Sequence, residues 1–212
     1  MTWLPPLPAD PPVTDDEMRD AVVGDLVQLA VPIAVVASDP EWSVLFEREA
    51  DRIRQALGDR ALAVEHVGST SVPGLAAKPI IDIDLTVADS SDEPAYAPAL
   101  EAAGYVLTVR EPHWEQHRLF TGPANPVNLH VWSVGADEPR RHVILRDWLR
   151  SNDDDRMLYE AAKRDAASRH WTYMHEYNNA KSPVIRAIYR RAHDELVRQG
   201  LPDQAGSSSD LE

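Results

Sequence analysis

The sequence predicts an α/β fold of the α+β kind: a mixed β-sheet flanked by helices, with a helical C-terminal portion. Three observations predict it. Short apolar runs, among them "ALAVEHV", "IIDIDLTV" and "VNLHVWSV", are separated by Gly, Pro and Asn through the middle of the chain. "SDPEWSVLFEREADRIRQALGD" sets apolar residues at helical spacing ahead of most of them. From Pro139 onward the pattern turns helical throughout. With 212 residues and 43% hydrophobic content the chain can bury one sizeable core, so one domain with appendages is expected.

The first 13 residues are rich in proline and poor in anchors, and read as an extended arm. Thr14 followed by Glu17 fits a capping box, which predicts a short helix over Asp15 to Ala30. "VPIAVVA" reads as a strand that Pro32 confines to a sheet edge. Asp39 as N-cap, Pro40 at the first helical position and Gly58 as the stop bracket the best-marked helix of the chain. Then come the strand "ALAVEHV", the turn "GSTSVPGLAAKP" with a single helical turn in it, and the strand "IIDIDLTV". "AYAPALEAAG" reads as helix, and "YVLTV", "HRLF" and "VNLHVWSV" as three further strands. Three helical segments follow, from "PRRHVILRDWLRSN" through "DDDRMLYEAAKRDAASRH" to "NNAKSPVIRAIYRRAHDELVRQG". Residues 1–34 are thus read as arm and short helix, 35–200 as the main domain and 201–212 as a disordered polar tail.

Composition narrows the function classes. The absence of cysteine excludes disulfide scaffolds, thiolate metal sites and cysteine nucleophiles. No signal peptide is visible, and no apolar stretch approaches the roughly 20 residues a membrane span needs, so a cytoplasmic protein with no membrane partner is expected. A net charge of −14 disfavours a nucleic-acid partner and favours a small molecule, a metal-neutralised nucleotide included.

Chemistry concentrates in "EHVGSTSVPGLAAKPIIDIDL". Asp82 and Asp84 stand two apart on an apolar strand, so they share one face, about 6.6–6.8 Å apart, while Ile81, Ile83 and Leu85 fill the other. Two bare carboxylates there repel each other; a hard cation between them resolves that, and Mg2+ or Mn2+ takes such oxygens. The turn before them supplies Gly68 for close backbone approach, the hydroxyls of Ser69, Thr70 and Ser71 for phosphate oxygens, and Lys78 nearby. It is not a Walker A loop, since five residues separate Gly68 from Gly74 and Lys78 precedes a proline. The plain structural alternative is a capped turn followed by aspartates at the solvated end of an edge strand.

The order of Gly-Ser turn, intervening segment and hydrophobic-Asp-hydrophobic-Asp strand resembles the nucleotidyltransferase superfamily of DNA polymerase beta type. More narrowly, "VEHVGSTSVPGLAAKPIIDIDL" resembles the GrpB-like family, and the likeness runs from about Val35 to Ala192. The resemblance implies a nucleotidyltransferase-like fold in which Gly68 and Ser69 hold a nucleoside triphosphate and Asp82 and Asp84 bind magnesium, with a small-molecule acceptor as second substrate. Some members are fused to dephospho-CoA kinase, which points to nucleotide or coenzyme metabolism.

The third carboxylate common in the wider superfamily is missing here. On "VNLHVWSV" one face presents Asn128, His130 and Trp132, so His130 is the expected substitute, as base or metal ligand, against a structural histidine beside the sheet. Glu111 and Glu115 are the alternative carboxylates; "HWEQH" is not a zinc-protease motif because its glutamate falls one place late. His66 is expected to line the pocket, Arg110 and Arg118 to neutralise phosphate, and Lys181, one helical turn after Tyr177, to reach a phosphate across the sheet. Each has a bland alternative as a structural or solvated residue. Three functions stay open at this stage: nucleotidyl transfer, a nucleotide-binding module without turnover, and a phosphotransferase or nucleotide hydrolase on the same metal site.

Overall fold

The computed structural model describes residues 4–8, 11–123 and 126–201; all of the expected tail but Leu201 lies outside them. In chain order the elements are α1 (Asp15–Ala21), α2 (Glu41–Leu57), β1 (Ala63–Val67), a 3-10 turn (Ser69–Ser71), β2 (Ile81–Val87), α3 (Glu93–Ala102), β3 (Val106–Glu111), β4 (His117–Thr121), β5 (Val127–Ser133), α4 (Asp137–Ser151), α5 (Asp153–Ala167) and α6 (Met174–Arg198). The five strands form one sheet in the order β1-β2-β5-β4-β3. Only β2 and β5 run parallel; the other three pairings are antiparallel, so the sheet is mixed as expected.

The period-2 alternation of the strands divides the molecule into layers. Ile81, Ile83, Leu85, Phe120, Leu129 and Val131 point to one face and pack with Trp42, Ile53 and Leu57 of α2 and Tyr96 and Leu100 of α3. Each such side chain, fully buried, contributes about 1.5–3 kcal/mol, which makes this layer the main core. The opposite face carries Asp82, Asp84, Asn128, His130 and Trp132 and meets the C-terminal helices. Those helices have a core of their own, in which Val72 and Leu75 of the loop before β2 pack with Leu149, Tyr159 and Ile188.

Two N-terminal expectations are corrected. The capping box at Thr14 and Glu17 is present, but α1 stops at Ala21 instead of continuing to Ala30. Val22 turns extended and pairs with Val109, and Val23 N–H donates to the Thr108 carbonyl, so pairing with the β3 edge outweighs helix propagation. "VPIAVVA" forms no strand; it makes a single bridge, Val36 with Ala77. The described residues of the arm are docked on their own chain: Leu4 is fully buried against Ile144, Tyr189 and Ala192, and Val13 exchanges two hydrogen bonds with the Asn179 side chain. Among the described residues no helix is long and apolar enough to cross a membrane.

Candidate functional site

The site is built where β1 ends. Gly68 has φ +67° and ψ −171°, a conformation essentially restricted to glycine, and it lets the chain leave β1 into the 3-10 turn directly over β2. A Cβ on Gly68 would lie 2.4 Å from Asp82 Oδ2, so this oxygen sits against the bare backbone of the turn. Asp82 Oδ1 accepts from Asn128 Nδ2 at 2.8 Å, and His130 Nε2 stands 4.0 Å from the same oxygen. The Asp82 side chain is 30% exposed.

Asp84, one step along the same face, is in a different state. It is buried, its Oδ1 accepts from Trp132 Nε1 at 3.0 Å, and its Oδ2 is bonded to His142 Nδ1 at 2.8 Å. Burial alone would raise its carboxyl, but the His142 charge and hydrogen bond outweigh that and hold it below the usual range. Burial pulls His142 down, and the charges of Asp84 and Glu138 and the hydrogen bond to Asp84 override it, raising the imidazolium to about 9. Asp84 is therefore already paired with a cation supplied by α4.

Of the three turn hydroxyls, two are committed to the turn itself. Ser71 Oγ donates to the Gly68 carbonyl at 2.6 Å, and Thr70 Oγ1 donates to the Ile80 carbonyl and contacts His66 Nε2. Ser69 is the one whose hydroxyl turns toward the Tyr159 phenol. Arg150 donates twice to the Ser71 carbonyl, and Arg146 to the His66 carbonyl, so α4 braces strand and turn from outside.

Two lysines complete the site. Lys78 Nζ and Lys181 Nζ lie over the Tyr177 ring at 4.9 and 5.0 Å from its centroid. Burial and the nearby Lys181 charge bring Lys78 down to about 8, burial also lowers Lys181, and the carboxylate acting on both is Asp82. Among the described residues neither ammonium is ion-paired with a carboxylate, and the fully buried Tyr177 hydroxyl has no hydrogen-bond partner.

The structure thus brings together Asp82, Asp84, His130, Gly68, Ser69, Lys78 and Lys181, and leaves others out. His66 does not line the cleft: its register partner is Ile83, which puts it on the α2 face, stacked on Phe46 at 4.7 Å, and burial takes it down to about 4. Strand parity from Gly68 misleads because β1 ends at Val67. Arg118 shares the opposite face with Phe120 and pairs with Glu93, as Arg110 does, so neither arginine stands by the aspartates. Glu115 caps α4 by accepting from the Asp137 and Glu138 amides.

Sequence reasoning missed His142, Tyr159 and Lys163. His142, Arg146 and Arg150 recur every four residues on α4, and that polar stripe on a packing helix was the available signal. Lys163 Nζ donates to the Ala76 carbonyl while Glu160 accepts from the Ala76 amide, clamping the loop ahead of β2. Among the described residues no cluster of three or more His, Asp or Glu is arranged as a metal cage. A hard ion here would rest on few protein oxygens, as magnesium commonly does.

The family model described as "GrpB protein" matches residues 32–191. A UPF0157 protein of Halalkalibacterium halodurans is 50% identical over 182 residues, covering 86% of this chain and 93% of its own length. One from Streptomyces coelicolor is 47% identical over 77% of this chain and 86% of its own. A protein of Mycolicibacterium paratuberculosis named dephospho-CoA kinase is 33% identical over 77% of this chain but only 46% of its own length. Among solved structures, a crystal structure titled as conserved protein GrpB from Enterococcus faecalis superposes with a TM-score of 0.66 at 29% identity, covering 77% of this chain and 99% of that one.

Proposed function

The chain belongs to the GrpB family, and from that premise we propose that it binds a magnesium–nucleoside triphosphate and transfers the nucleotidyl group to a small hydroxyl, amine or phosphate acceptor. The observation that carries this reading is the pair of ammonium groups of Lys78 and Lys181 held over one tyrosine, in the field of Asp82 and, among the described residues, without an ion-paired carboxylate. Two like charges kept together and partly out of bulk water call for an anion between or beside them, and a polyphosphate is the anion that also suits a neighbouring metal-binding carboxylate.

The residues fit such an ion at Asp82. Its Oδ2 faces the Gly68 backbone, and magnesium is held by one or two carboxylates together with phosphate oxygens and water. Asp84, with one oxygen bonded to Trp132 and the other to His142, is less available to a cation than Asp82. When bound, the ion neutralises phosphate charge and orients the α phosphorus. The chain's own residues do the rest. Gly68 and Ser69 seat the phosphate chain, Lys78 and Lys181 stabilise its charge, and His130 stands beside Asp82 where an acceptor would enter.

A second reading has an observation in its favour. Both Asp84 oxygens are engaged, one by Trp132 and one by His142, and the third carboxylate position holds a histidine, as in a nucleotide-binding module that does not turn over. One experiment separates the two. Thermal unfolding is followed with ATP, GTP, CTP and UTP, with and without magnesium, on the native protein and on Asp82→Asn and Lys181→Gln. A ligand at 100 times its Kd adds about 2.7 kcal/mol to stability. The expected result is a magnesium-dependent rise in Tm for at least one nucleotide, reduced in both variants, and pyrophosphate release on adding an acceptor pool. A Tm rise without product favours the binding module; no rise with any nucleotide overturns both.

A further inference from the structure

Glu111, His117 and His130 form a continuous line across the sheet toward Asp82. Glu111 Oε2 lies 2.7 Å from His117 Nδ1, His117 Nε2 lies 3.0 Å from His130 Nδ1, and His130 Nε2 stands 4.0 Å from Asp82 Oδ1. Three neighbouring strands supply the three members, β3, β4 and β5 in turn, so the spacing is set by the sheet itself. His117 is buried, stacked on Trp132 at 4.3 Å and met edge-on by Trp114 at 5.0 Å, so its ring is packed on both sides.

With His117 neutral, the direction of each bond follows from what each group can donate. A carboxylate only accepts, so Glu111 takes its bond from His117 Nδ1–H. In the neutral ring His117 Nε2 is then an acceptor, and the contact to His130 is donated by His130 Nδ1–H. We propose that Glu111, acting through His117, fixes His130 in the Nδ1–H tautomer, so that the Nε2 lone pair faces the Asp82 side of the cleft as the proton acceptor for the incoming nucleophile. Glu111 and His117 are positioning residues in this scheme. The wire stands where the superfamily pattern has a carboxylate, and Glu111 serves from two strands further along the sheet.

The use of the lone pair rests on the nucleotidyl-transfer reading; the tautomer does not. In that use the acceptor's X–H bond breaks and its proton goes to His130 Nε2. The freed electron pair forms the bond to the α phosphorus, and the bond from phosphorus to the bridging oxygen breaks with its electrons leaving on pyrophosphate.

The test is the histidine side-chain nitrogen spectrum of ligand-free, 15N-labelled protein at neutral pH, with His130 assigned from a His130→Gln sample. The native protein should show a protonated Nδ1 and a bare Nε2 on His130. Glu111→Ala removes the acceptor at the head of the wire, and His117→Phe keeps the stacked ring but removes its nitrogens. Both should move His130 toward the Nε2–H form while the fold, followed by backbone amide shifts, is kept. A native His130 protonated at Nε2, or an Nδ1–H form that survives both substitutions, overturns the proposal. If nucleotide turnover is found, Glu111→Ala should lower kcat by about 100-fold, the lower end of what a positioned base contributes, with KM for the nucleotide little changed. An Nδ1–H tautomer in a protein that no nucleotide stabilises keeps the positioning role and removes its use in nucleotidyl transfer.

Discussion

At Gly68 a single hydrogen in place of a side chain holds two features together. The dihedrals of φ +67° and ψ −171° cost a residue with a Cβ about 1–3 kcal/mol, and the added atom would press on Asp82 at 2.4 Å from Oδ2 and 3.0 Å from Cβ and Cγ. Gly68→Ala is therefore expected to lower stability in urea by about 2 kcal/mol and to abolish the magnesium-dependent nucleotide shift. A well-folded Gly68→Ala variant with an unchanged shift would mean that the turn does not seat the ligand. This glycine, and the parity that sets Asp82 and Asp84 on one face, were legible in the sequence because both requirements are local. His66 was not, since its face follows from pairing with Ile83, and neither was the Asp84 partner, since His142 lies 58 residues away.

Elements whose pattern is complete within their own length came through: α2 with its proline start and glycine stop, the five central strands, and the three C-terminal helices. Elements whose ends are set by distant partners did not. The chain after Ala21 had enough apolar residues to continue as helix, yet Val22 and Val23 gained backbone bonds at the β3 edge instead. The arm before α1 shows the same effect with side chains. Proline fixes much of its backbone in advance, lowering the entropy cost of docking, and Leu4 fills a gap between α4 and α6 while the Pro5 and Pro6 carbonyls accept from Tyr189 and Arg141. Leu4→Ala should destabilise the protein by about 2 kcal/mol in urea unfolding, the low end for a buried leucine because the arm can shift to close part of the cavity. A loss below about 0.5 kcal/mol would show that the arm is held by its backbone contacts alone.

Across the whole molecule, polar groups on the sheet meet the helical half, and one ion pair across that joint is buried Asp84 with the part-buried His142. Removing one member of such a pair leaves an uncompensated charge and typically costs about 3–5 kcal/mol, far more than an exposed ion pair. The pH window follows from the two shifts. His142 is raised in the folded state from 6.5 to about 9, so its contribution is fully present below pH 6.5 and is lost as pH rises through 9; Asp84 is lowered, so its contribution is present above its ordinary value of 3.8 and is lost as pH falls through the depressed one. Half-buried Lys78 and buried Lys163, brought down to about 8 and about 7, work in the opposite sense, because the cost of holding them charged is relieved as pH rises. Absolute stability against pH therefore mixes the two, and the difference between native protein and His142→Asn isolates the pair, since both proteins keep the lysines. That difference should be largest near pH 6 and shrink steadily between pH 6.5 and 9 in urea unfolding. A difference that stays constant over that range would mean that a neutral His142 holds Asp84 by its hydrogen bond alone, and that the carboxylate face of the sheet carries its full negative charge into any encounter with a metal-bound nucleotide.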